Sequence, residues 1–392
     1  MNETIHISDF PEDKIYILLN EKYRKNLIEK ARHKLECKNY FELSLIINRK
    51  FKTRFNGGDI KYWLEGKKID IRTGIKHPKF MPLWLVLFLV NLVKDDLAIL
   101  DKKVVAYRSG GRGFIVNLPI LPIIVTPEFE SIVIHLFGDG YAGDFTPSYF
   151  QKNKIAVDNF IKKLKNCFGN FERSVYLIND MCYVRFPKAM TDVLSNFYNI
   201  HSYMSYKSKV PIKIINRKDN NFKLACLVAY IVDEGNIRDV ISLYSVNLNL
   251  ISGMRKLALD CGYKCSKLQF NKKANSYIFT ISIKNIEKIY YDICNLSKLF
   301  PTCNLSFKEK SIKFILNRRT INNPRDRKIT QEVVIRALKE RSSSAQQISR
   351  LSNYAYCTII HTLKDLYNEG KVKRTKSKSK TFFWNLIDSE KK

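Results

Sequence analysis

Apolar positions in the first hundred residues recur with the spacing of amphipathic helices. The segment FELSLIINRKFKTRFNGGDIKYWLEGKK (41–68) carries two apolar faces separated by Gly57 and Gly58, which favour a turn. The pattern predicts a helix-turn-helix, and a DNA-binding function and a basic helical hairpin without a partner both fit it. The first apolar face comprises Phe41, Leu43, Ile46 and Phe51, the second comprises Ile60, Trp63 and Leu64, and the exposed side carries Lys61, Lys67 and Lys68.

The apolar pattern changes from helical to alternating just beyond residue 100. Residues 104–107 and 114–117 are β-type runs, and the sequence SGGRG between them supplies the flexibility of a turn. We therefore predict a β-hairpin. Because an isolated two-stranded hairpin is only marginally stable, we expect it to pack against another element.

The middle of the chain repeats one order of apolar and polar segments. The segments LPIIVTPEFESIVIHLFGDGYA (121–142) and VPIKIINRKDNNFKLACLVAYIVDEGNI (210–237) each contain a proline, an apolar helix, and an acid followed by glycine. Each is followed by strand-like runs, a basic amphipathic helix that ends at a glycine (Gly169 or Gly262), more strand and another helix. This order predicts a duplicated αββαββα unit of about a hundred residues within an α+β fold.

Both predicted motif helices end in a carboxylate, where the helix dipole is already negative. The acids that precede the glycines are Asp139 and Glu234, and Asp233 adds a second charge to the later helix. Such an acid is usually exposed to solvent and simply ends the helix. A bound cation that neutralises its charge is the alternative. The acid occurs at the same place in both copies, and both explanations remain open at this point.

The last 64 residues, 329–392, have a third pattern, that of three short helices followed by two strands around a basic tip. This segment resembles a winged helix, and six of the ten residues in 371–380 are basic. A solvated charge run is the alternative, but its position between a helix and an aromatic strand favours a wing against phosphates. The predicted DNA contacts in this segment are Tyr356, His361, Lys364, Lys371, Lys373, Arg374, Lys376, Lys378 and Lys380.

The overall charge points to a polyanionic partner. Lys and Arg number 68 against 37 Asp and Glu, which gives a formal net charge of +31, and nucleic acid and anionic membrane are the common polyanions. The longest apolar run, within 83–90, is too short to span a bilayer, and the start of the chain lacks the pattern of a secretory signal. We therefore expect a cytoplasmic protein with no membrane partner. The nine cysteines form no CxxC pair, so we interpret them as reduced residues, mostly in the core.

The two motifs, at 132–140 and 227–235, resemble those of LAGLIDADG homing endonucleases in the single-chain, two-motif form. The resemblance covers about residues 120–300. In that family the motif helices pack together through small residues, and the acid at the end of each binds divalent metal near the scissile phosphates. The resemblance implies that Asp139 and Glu234 are catalytic and bind Mg²⁺ (or Mn²⁺). Ala225, Ala229 and Gly138 match the small residues, whereas Ile134 departs from them.

In the same family the strands after each motif form a saddle over double-stranded DNA. Strand alternation would place Tyr149 and Gln151 on one face of the first copy, and Arg238, Ser242 and Tyr244 on one face of the second. Lys152, Lys154 and Arg238 are also candidates for a basic residue that assists cleavage. Lysines on the following helix would hold phosphates, and these are Lys162, Lys163 and Lys165.

The sequence thus predicts a site-specific double-strand DNA endonuclease of the homing type. A non-catalytic transcriptional regulator derived from the same fold is the main alternative, and an RNA-splicing cofactor is a third. A monomer is expected, because both motifs lie in one chain. The predicted domains are a helical part at 1–100, the hairpin and first repeat at 101–205, the second repeat at 206–318, and a winged helix at 329–392.

Overall fold

The computed structural model describes residues 3–69, 76–110, 113–143, 146–238, 240–320, 327–352, 354–376 and 382–387. These residues form an α+β fold of helices and antiparallel sheets. The chain divides into two compact units. The first comprises Met1–Gly235, Leu243–Phe279 and Asp292–Phe307, and the second comprises Asn236–Ser242, Thr280–Tyr291 and Lys308–Lys392.

The N-terminal part of the first unit mixes short strands with helices. Its elements are β1 (Thr4–Ile5), β2 (Ile15–Leu19), α1 (Glu21–Lys34), α2 (Tyr40–Phe51), α3 (Gly57–Glu65), β3 (Lys67–Ile69), β4 (Lys76–Pro78), β5 (Met81–Pro82), α4 (Leu83–Val93), α5 (Leu97–Leu100), β6 (Val104–Ser109) and β7 (Val116–Pro119).

The two predicted helices of the 41–68 segment are confirmed as α2 and α3. Asn39 and Asn56 cap them, since each side chain accepts a hydrogen bond from a backbone N–H of the first turn. Leu43 and Trp63 are buried as predicted. The prediction for Phe41 was wrong, because this side chain lies on the first turn of α2 and is 59% exposed.

The middle of the chain carries two successive sets of helices and strands that share the order αββαββα, with additional short elements that differ between the sets. The first set is β8 (Ile123–Ile124), α6 (Pro127–Phe137), β9 (Gly140–Tyr141), β10 (Ser148–Gln151), α7 (Lys154–Phe168), β11 (Gly169–Phe171), β12 (Ser174–Ile178), β13 (Met181–Arg185) and α8 (Lys188–Tyr198). The second set is α9 (Ile212–Ile215), α10 (Asn220–Glu234), β14 (Gly235–Ile237), β15 (Ile241–Ser245), α11 (Leu248–Asp260), β16 (Gln269–Asn271), β17 (Ser276–Ile281) and α12 (Ile286–Leu299).

The predicted hairpin of β6 and β7 forms part of a larger antiparallel sheet in the first unit. The strand order of this sheet is β11-β7-β6-β2-β5, with Tyr107 opposite Val116 and Ile17 opposite Tyr107. Ile15, Ile17 and Leu19 alternate inward along β2, which gives the sheet one buried face. A second sheet of the same unit has the order β12-β13-β10-β9, and α7 packs against it.

Most of the second unit is a compact C-terminal segment. Its elements, after α13 (Glu309–Thr320), are α14 (Arg327–Glu340), β18 (Ser343–Ser344), α15 (Ala345–Ser352), α16 (Tyr356–Asn368), β19 (Val372–Lys376) and β20 (Phe382–Leu386). Three helices enclose a core that includes Ile348, Leu363 and Trp384. The strands form a sheet of order β18-β20-β19, and β18 is an element that the sequence pattern did not predict.

Short 3₁₀ turns complete the described structure at Ile7–Asp9, Asp101–Lys103, Ile283–Asn285 and Ser306–Lys308. Among the described residues, no helix combines the length and the apolar character that a bilayer crossing requires. All nine cysteines are free, and six of them are buried.

Candidate metal centre and nucleic-acid interface

The site is built on two helices, α6 and α10, that pack against each other. Thr126 caps α6 and Pro127 occupies its first turn, so the helix begins sharply. Asp219 caps α10 in the same way. Every residue of α6 is buried, as are the residues from Lys223 to Val232 of α10, because the two helices run through the middle of the first unit.

The C-terminal ends of these helices meet. An ideal Cβ added to Gly138, at the end of α6, would lie 2.9 Å from the Asp233 carboxylate of α10. Asp139 and Glu234 are the next residues along the chain, so their carboxylates leave the two helices at the same end of the pair. Both residues are half-buried, and the Gln151 amide donates a hydrogen bond to Asp139 Oδ2.

Two carboxylates at one helix-pair terminus suit a hard divalent cation. Mg²⁺ prefers oxygen ligands and is commonly bound through one or two carboxylates, with water and substrate phosphate completing the shell. The described residues contain no group of three or more His, Cys, Asp or Glu that could hold a metal ion by itself. Asp139 and Glu234 offer carboxylate oxygens, the ligand type that such a cation binds.

The glycines after the two acids share one structural role. A Cβ on Gly140 would lie 2.4 Å from Leu136 Cα, and a Cβ on Gly235 would lie 2.5 Å from the Ile231 carbonyl oxygen. In each case the clash is with the backbone four residues earlier. Glycine is thus required by the close approach of the departing chain to its own helix, since Gly235 has a φ of −78° and needs no left-handed conformation.

Asp233, which precedes Glu234 on α10, belongs to a buried polar network that joins α6 and α10. Its side chain is 0% exposed and sits 2.9 Å from His135 Nδ1, and Tyr149 donates its hydroxyl to Asp233 Oδ1 at 2.7 Å. On the other side of the imidazole, Lys163 Nζ lies 3.0 Å from His135 Nε2. Lys163 is itself 1% exposed. The imidazole therefore bridges a buried ammonium and a buried carboxylate.

The electrostatics of this network favour a neutral imidazole. Burial, reinforced by the nearby Lys163 charge, holds the pKa of His135 well below its usual value. A neutral imidazole donates from one nitrogen and accepts at the other, so Nδ1–H donates to Asp233 and Nε2 accepts from Lys163. Burial also raises the pKa of Tyr149 well above its ordinary value, and the Asp233 charge adds to this effect. Tyr149 therefore remains a hydrogen-bond donor.

The structure corrects three predicted nucleic-acid contacts of the first repeat. Tyr149 is 0% exposed and stacks on Phe160 of α7 at 4.2 Å between ring centroids, so it faces the core. Gln151 is buried on the same face and bonds Asp139. Lys163 is buried against His135 and cannot reach a phosphate. Alternation along β10 then places Ser148 and Phe150 on the outer face, with Lys152 and Lys154 exposed beyond the strand.

In the second repeat the predicted alternation agrees with the burial. Ile241 and Leu243 of β15 are buried, whereas Ser242 and Tyr244 are half-buried on the other face. Arg238 is exposed, and its guanidinium lies over the ring of Tyr356 at 5.6 Å from the centroid. Tyr244 also accepts, at its backbone carbonyl, the hydroxyl proton of Tyr230 from α10. The DNA-binding roles of Arg238, Ser242 and Tyr244 remain predictions.

The C-terminal segment presents a basic surface. His361 and Lys364 are exposed on α16, and Tyr356 is half-buried at its start. Arg374 lies over the rings of Tyr367 and Phe382, at 5.4 and 5.2 Å from their centroids. The exposed cations of the β19 region are Lys371, Lys373, Arg374 and Lys376, whereas Lys378, Lys380 and the side chain of Lys68 lie outside the described residues.

The residues that sequence reasoning missed are those of the buried network. His135 interrupts an otherwise apolar run, and Asp233 stands beside the predicted metal ligand, which are the only local signals of this network in the sequence. The partner contact joins positions 98 residues apart. Nothing local to either motif specifies that contact.

Comparisons with known proteins gave structural similarities alone. No family model and no curated protein matches the chain. One similar solved structure is I-DmoI in complex with DNA and Mn, with 11% identity and a TM-score of 0.31 over 42% of this chain and 94% of that chain. Variants of the homing endonuclease I-DmoI align with 14% identity and a TM-score of 0.30 over 42% of this chain and 89% of that one.

A further similar structure is full-length DUF199/WhiA from Thermatoga maritima. It aligns with 11% identity and a TM-score of 0.34 over 65% of this chain and 94% of that chain. At identities and TM-scores as low as these, the similarities carry no argument about what this chain does.

Proposed function

We propose that the chain is a LAGLIDADG-type DNA endonuclease with a duplicated core and a C-terminal winged helix. The observation that carries the proposal is the pair of half-buried carboxylates, Asp139 and Glu234, at the same end of two packed helices from successive repeats. The +31 net charge supports a polyanionic partner. Three helices and a three-stranded sheet with exposed cations support the winged helix.

Each residue of the site has a separate task in this proposal. Asp139 and Glu234 hold Mg²⁺, which supplies charge neutralisation of the phosphate and activation of water when bound. The Gln151 amide orients the Asp139 carboxylate through its hydrogen bond. The His135–Asp233 contact holds the two helix ends together, so both acids stay in place relative to the same phosphate. Exposed Lys152 and Lys154 lie near the first acid in sequence and contribute positive charge for the DNA backbone.

The test is charge removal at the two acids in the full chain. Asp139→Asn and Glu234→Gln have nearly the same shape as the native residues but no charge, so each should abolish double-strand cleavage in Mg²⁺. Binding to DNA should survive without loss of affinity, because a negative charge beside the phosphates is removed. Asp158→Asn is the matched control, since Asp158 is an exposed acid on α7 outside the site.

A readout independent of cleavage is the effect of divalent metal on DNA-bound protein. Mg²⁺ should raise the melting temperature of the wild-type complex and leave that of the Asp139→Asn, Glu234→Gln double variant unchanged. The substrate for cleavage is a library drawn from the source genome, because the target sequence is not readable from the residues.

A non-catalytic DNA-binding regulator is the second candidate. It is favoured by the exposed basic surface of the C-terminal segment, which needs no metal to bind DNA. If the wild-type chain selects a discrete duplex site from the library and cuts no member of it, the regulator replaces the endonuclease.

A further inference from the structure

The junction between α2 and α3 carries several exposed cations and no acid. No Asp or Glu occurs from residue 43 to residue 58. Elsewhere in the N-terminal part cations do pair with acids, for example Lys79 with Asp59 at 3.3 Å. None of the exposed cations of 49–54 makes an ion pair within the part of the chain that the structure describes. We call residues 49–54 the basic loop, and its exposed cations are Arg49, Lys50, Lys52 and Arg54.

Asn48 fixes the backbone of the basic loop. Its side-chain amide donates a hydrogen bond to the Phe55 carbonyl oxygen at 2.6 Å. Its Oδ1 accepts from the Thr53 hydroxyl and from the Phe55 N–H, each at 2.8 Å. One side chain near the end of α2 thus closes the loop through three hydrogen bonds. A loop that is ordered before binding loses less conformational entropy when a partner binds.

Aromatic packing determines which side chains of the basic loop face outward. Phe51 packs on Trp84, and Phe55, just after the loop, packs on Trp63, with ring centroids 4.5 and 4.8 Å apart. Phe51, Thr53 and Phe55 are half-buried, and the two cations that flank Thr53 are exposed. The alternation therefore holds the rings inward and the positive charge outward.

An ordered cluster of cations fits a polyanion whose charges are closely spaced. Duplex DNA carries one negative charge per about 1.7 Å of helix axis, and each phosphate that a protein neutralises releases counterions. An anionic membrane is the other common polyanion, but surfaces that bind membranes direct aromatic and aliphatic side chains at the lipid. The rings at the basic loop face Trp63 and Trp84 instead. The loop therefore fits nucleic-acid phosphates better.

Helix α3, which follows the basic loop, has few side chains that could read bases. In a helix-turn-helix the second helix enters the major groove and contacts base edges. The exposed positions of α3 are Gly58, Lys61 and Glu65. Glycine has no side chain to contact a base, and a glutamate repels phosphates. A contact at this junction would thus position DNA without carrying sequence information.

We propose that the basic loop binds the phosphate backbone of duplex DNA independently of base sequence. This surface lies in the N-terminal part of the chain and needs neither Asp139 nor Glu234. It rests on the proposed function for the partner alone, since an endonuclease and a regulator both bind duplex DNA. The exposed cations neutralise phosphates, and Asn48 holds the loop in the conformation that presents them.

The experiment measures the affinity of the full chain for a fluorescently labelled DNA duplex of arbitrary sequence. EDTA removes divalent metal, so that cleavage plays no part. Lys52→Asn with Arg54→Gln removes two outward charges, and asparagine accepts the left-handed conformation of Lys52, whose φ is 53°. The slope of log affinity against log salt should become shallower by roughly 2, because each neutralised phosphate contributes roughly 0.9. Between about 50 and about 200 mM salt, the affinity ratio of wild type to variant should therefore fall about 10-fold.

The matched control is Lys256→Gln with Lys298→Gln, which changes the net charge equally through two exposed lysines of α11 and α12. The control should keep the wild-type slope, and the melting temperatures of both variants should equal that of wild type, because all four side chains are exposed. A wild-type slope in the folded loop variant would refute the proposal. An equal slope change in the control would refute it too, since net charge alone would then explain the effect.

Vesicles of phosphatidylserine and phosphatidylcholine form the second arm, because Phe41 and Leu45 are exposed on α2. The loop variant should bind these vesicles as wild type does. Loss of vesicle binding in the variant, with an unchanged duplex slope, would assign the loop to a membrane and overturn the proposal. Wild-type protein that binds no duplex would overturn the endonuclease proposal as well, whereas a failure confined to the loop variant concerns the basic loop alone.

Discussion

At the scale of single residues, the buried network of Lys163, His135 and Asp233 is the most consequential feature. A lone buried charge is costly, and breaking a buried pair by removing one partner commonly destabilises a protein by several kcal/mol. Here the two charges do not touch but are joined through a neutral imidazole, at 3.0 and 2.9 Å. Each charge therefore depends on the other.

Double-variant analysis should reveal this dependence. Lys163→Met and Asp233→Asn should each lower the free energy of unfolding by about 3 kcal/mol or more, because each leaves the opposite charge buried without compensation. The double variant should lose less than the sum of the two changes, as measured by urea unfolding. Lys162→Met, at the exposed neighbouring lysine, is the control and should change stability by less than about 0.5 kcal/mol. Strict additivity would show that the two charges are not coupled.

Glu130 is a second buried acid, in the middle of α6. Its side chain is 0% exposed, and its Oε1 accepts a hydrogen bond from Arg217 Nε at 2.6 Å. Burial raises the pKa of Glu130 from 4.5 to about 7, against the opposing effect of Arg217. The folded protein thus holds a proton on Glu130 over a pH range in which the unfolded chain does not.

The stability of the first unit should therefore fall as pH rises through this range. A carboxyl with a raised pKa in the folded state makes folding most favourable below its unfolded pKa, and that advantage disappears as pH rises to the folded pKa. Between about pH 4.5 and about pH 7, the free energy of unfolding of wild type should decline. In the Glu130→Gln variant this decline should be smaller by roughly 3 kcal/mol, because the size of the effect is proportional to the pKa shift. Urea unfolding at a series of pH values measures it. A decline of equal size in variant and wild type would mean that another group titrates.

At the scale of elements, the ends of α6 and α10 are shaped by the glycines that follow them. Gly140→Ala and Gly235→Ala should each destabilise the chain by about 1–3 kcal/mol, because the new Cβ would overlap helix backbone that cannot move aside. Gly143→Ala is the matched control, since the atoms nearest to its Cβ would be those at the hydroxyl end of Tyr141, a 47% exposed side chain that can swing away. The melting temperatures of the three variants, measured by thermal unfolding, give the comparison. Equal tolerance of all three alanines would contradict the close-approach explanation.

The helices and the acids at their ends could be predicted from sequence because their signals are local. An apolar run followed by an acid and a glycine predicts where α6 and α10 end, whatever they pack against. The contact between Asp233 and His135 could not be predicted, since α6 is buried on every side and its apolar pattern does not select the face that meets α10. Helix periodicity contains no information about register between two such helices.

The prediction of which face of β10 is exposed was wrong for a related reason. Alternation separates Tyr149 and Gln151 from Ser148 and Phe150, but it does not state which set is covered. The covering element is α7, whose Phe160 stacks on Tyr149. A phenolic ring with a buried hydroxyl partner packs in a core as well as it contacts DNA, so residue type did not decide the question.

At the scale of the whole molecule, positive charge is spread over both compact units. Binding to duplex DNA should therefore weaken steeply with salt, since each neutralised phosphate contributes a slope of roughly −0.9 to log affinity against log salt. Removal of residues 329–392 deletes the exposed cations of α16 and β19, so the slope should become shallower by roughly 3–5. Cleavage in Mg²⁺ should survive this truncation, because Asp139 and Glu234 lie outside the deleted residues. Salt titrations of both chains measure the slopes, and an unchanged slope would exclude the C-terminal segment from DNA contact.

The meeting of Gly138 with Asp233 also makes the two halves of the core unlike partners. A pair formed by two copies of the first half would bring two His135 side chains together with no carboxylate to accept from them. A pair formed by two second halves would bury two Asp233 carboxylates side by side. The seam between α6 and α10 is thus made of unlike residues, and replacing the end of either helix with the sequence of the other would remove the His135–Asp233 contact.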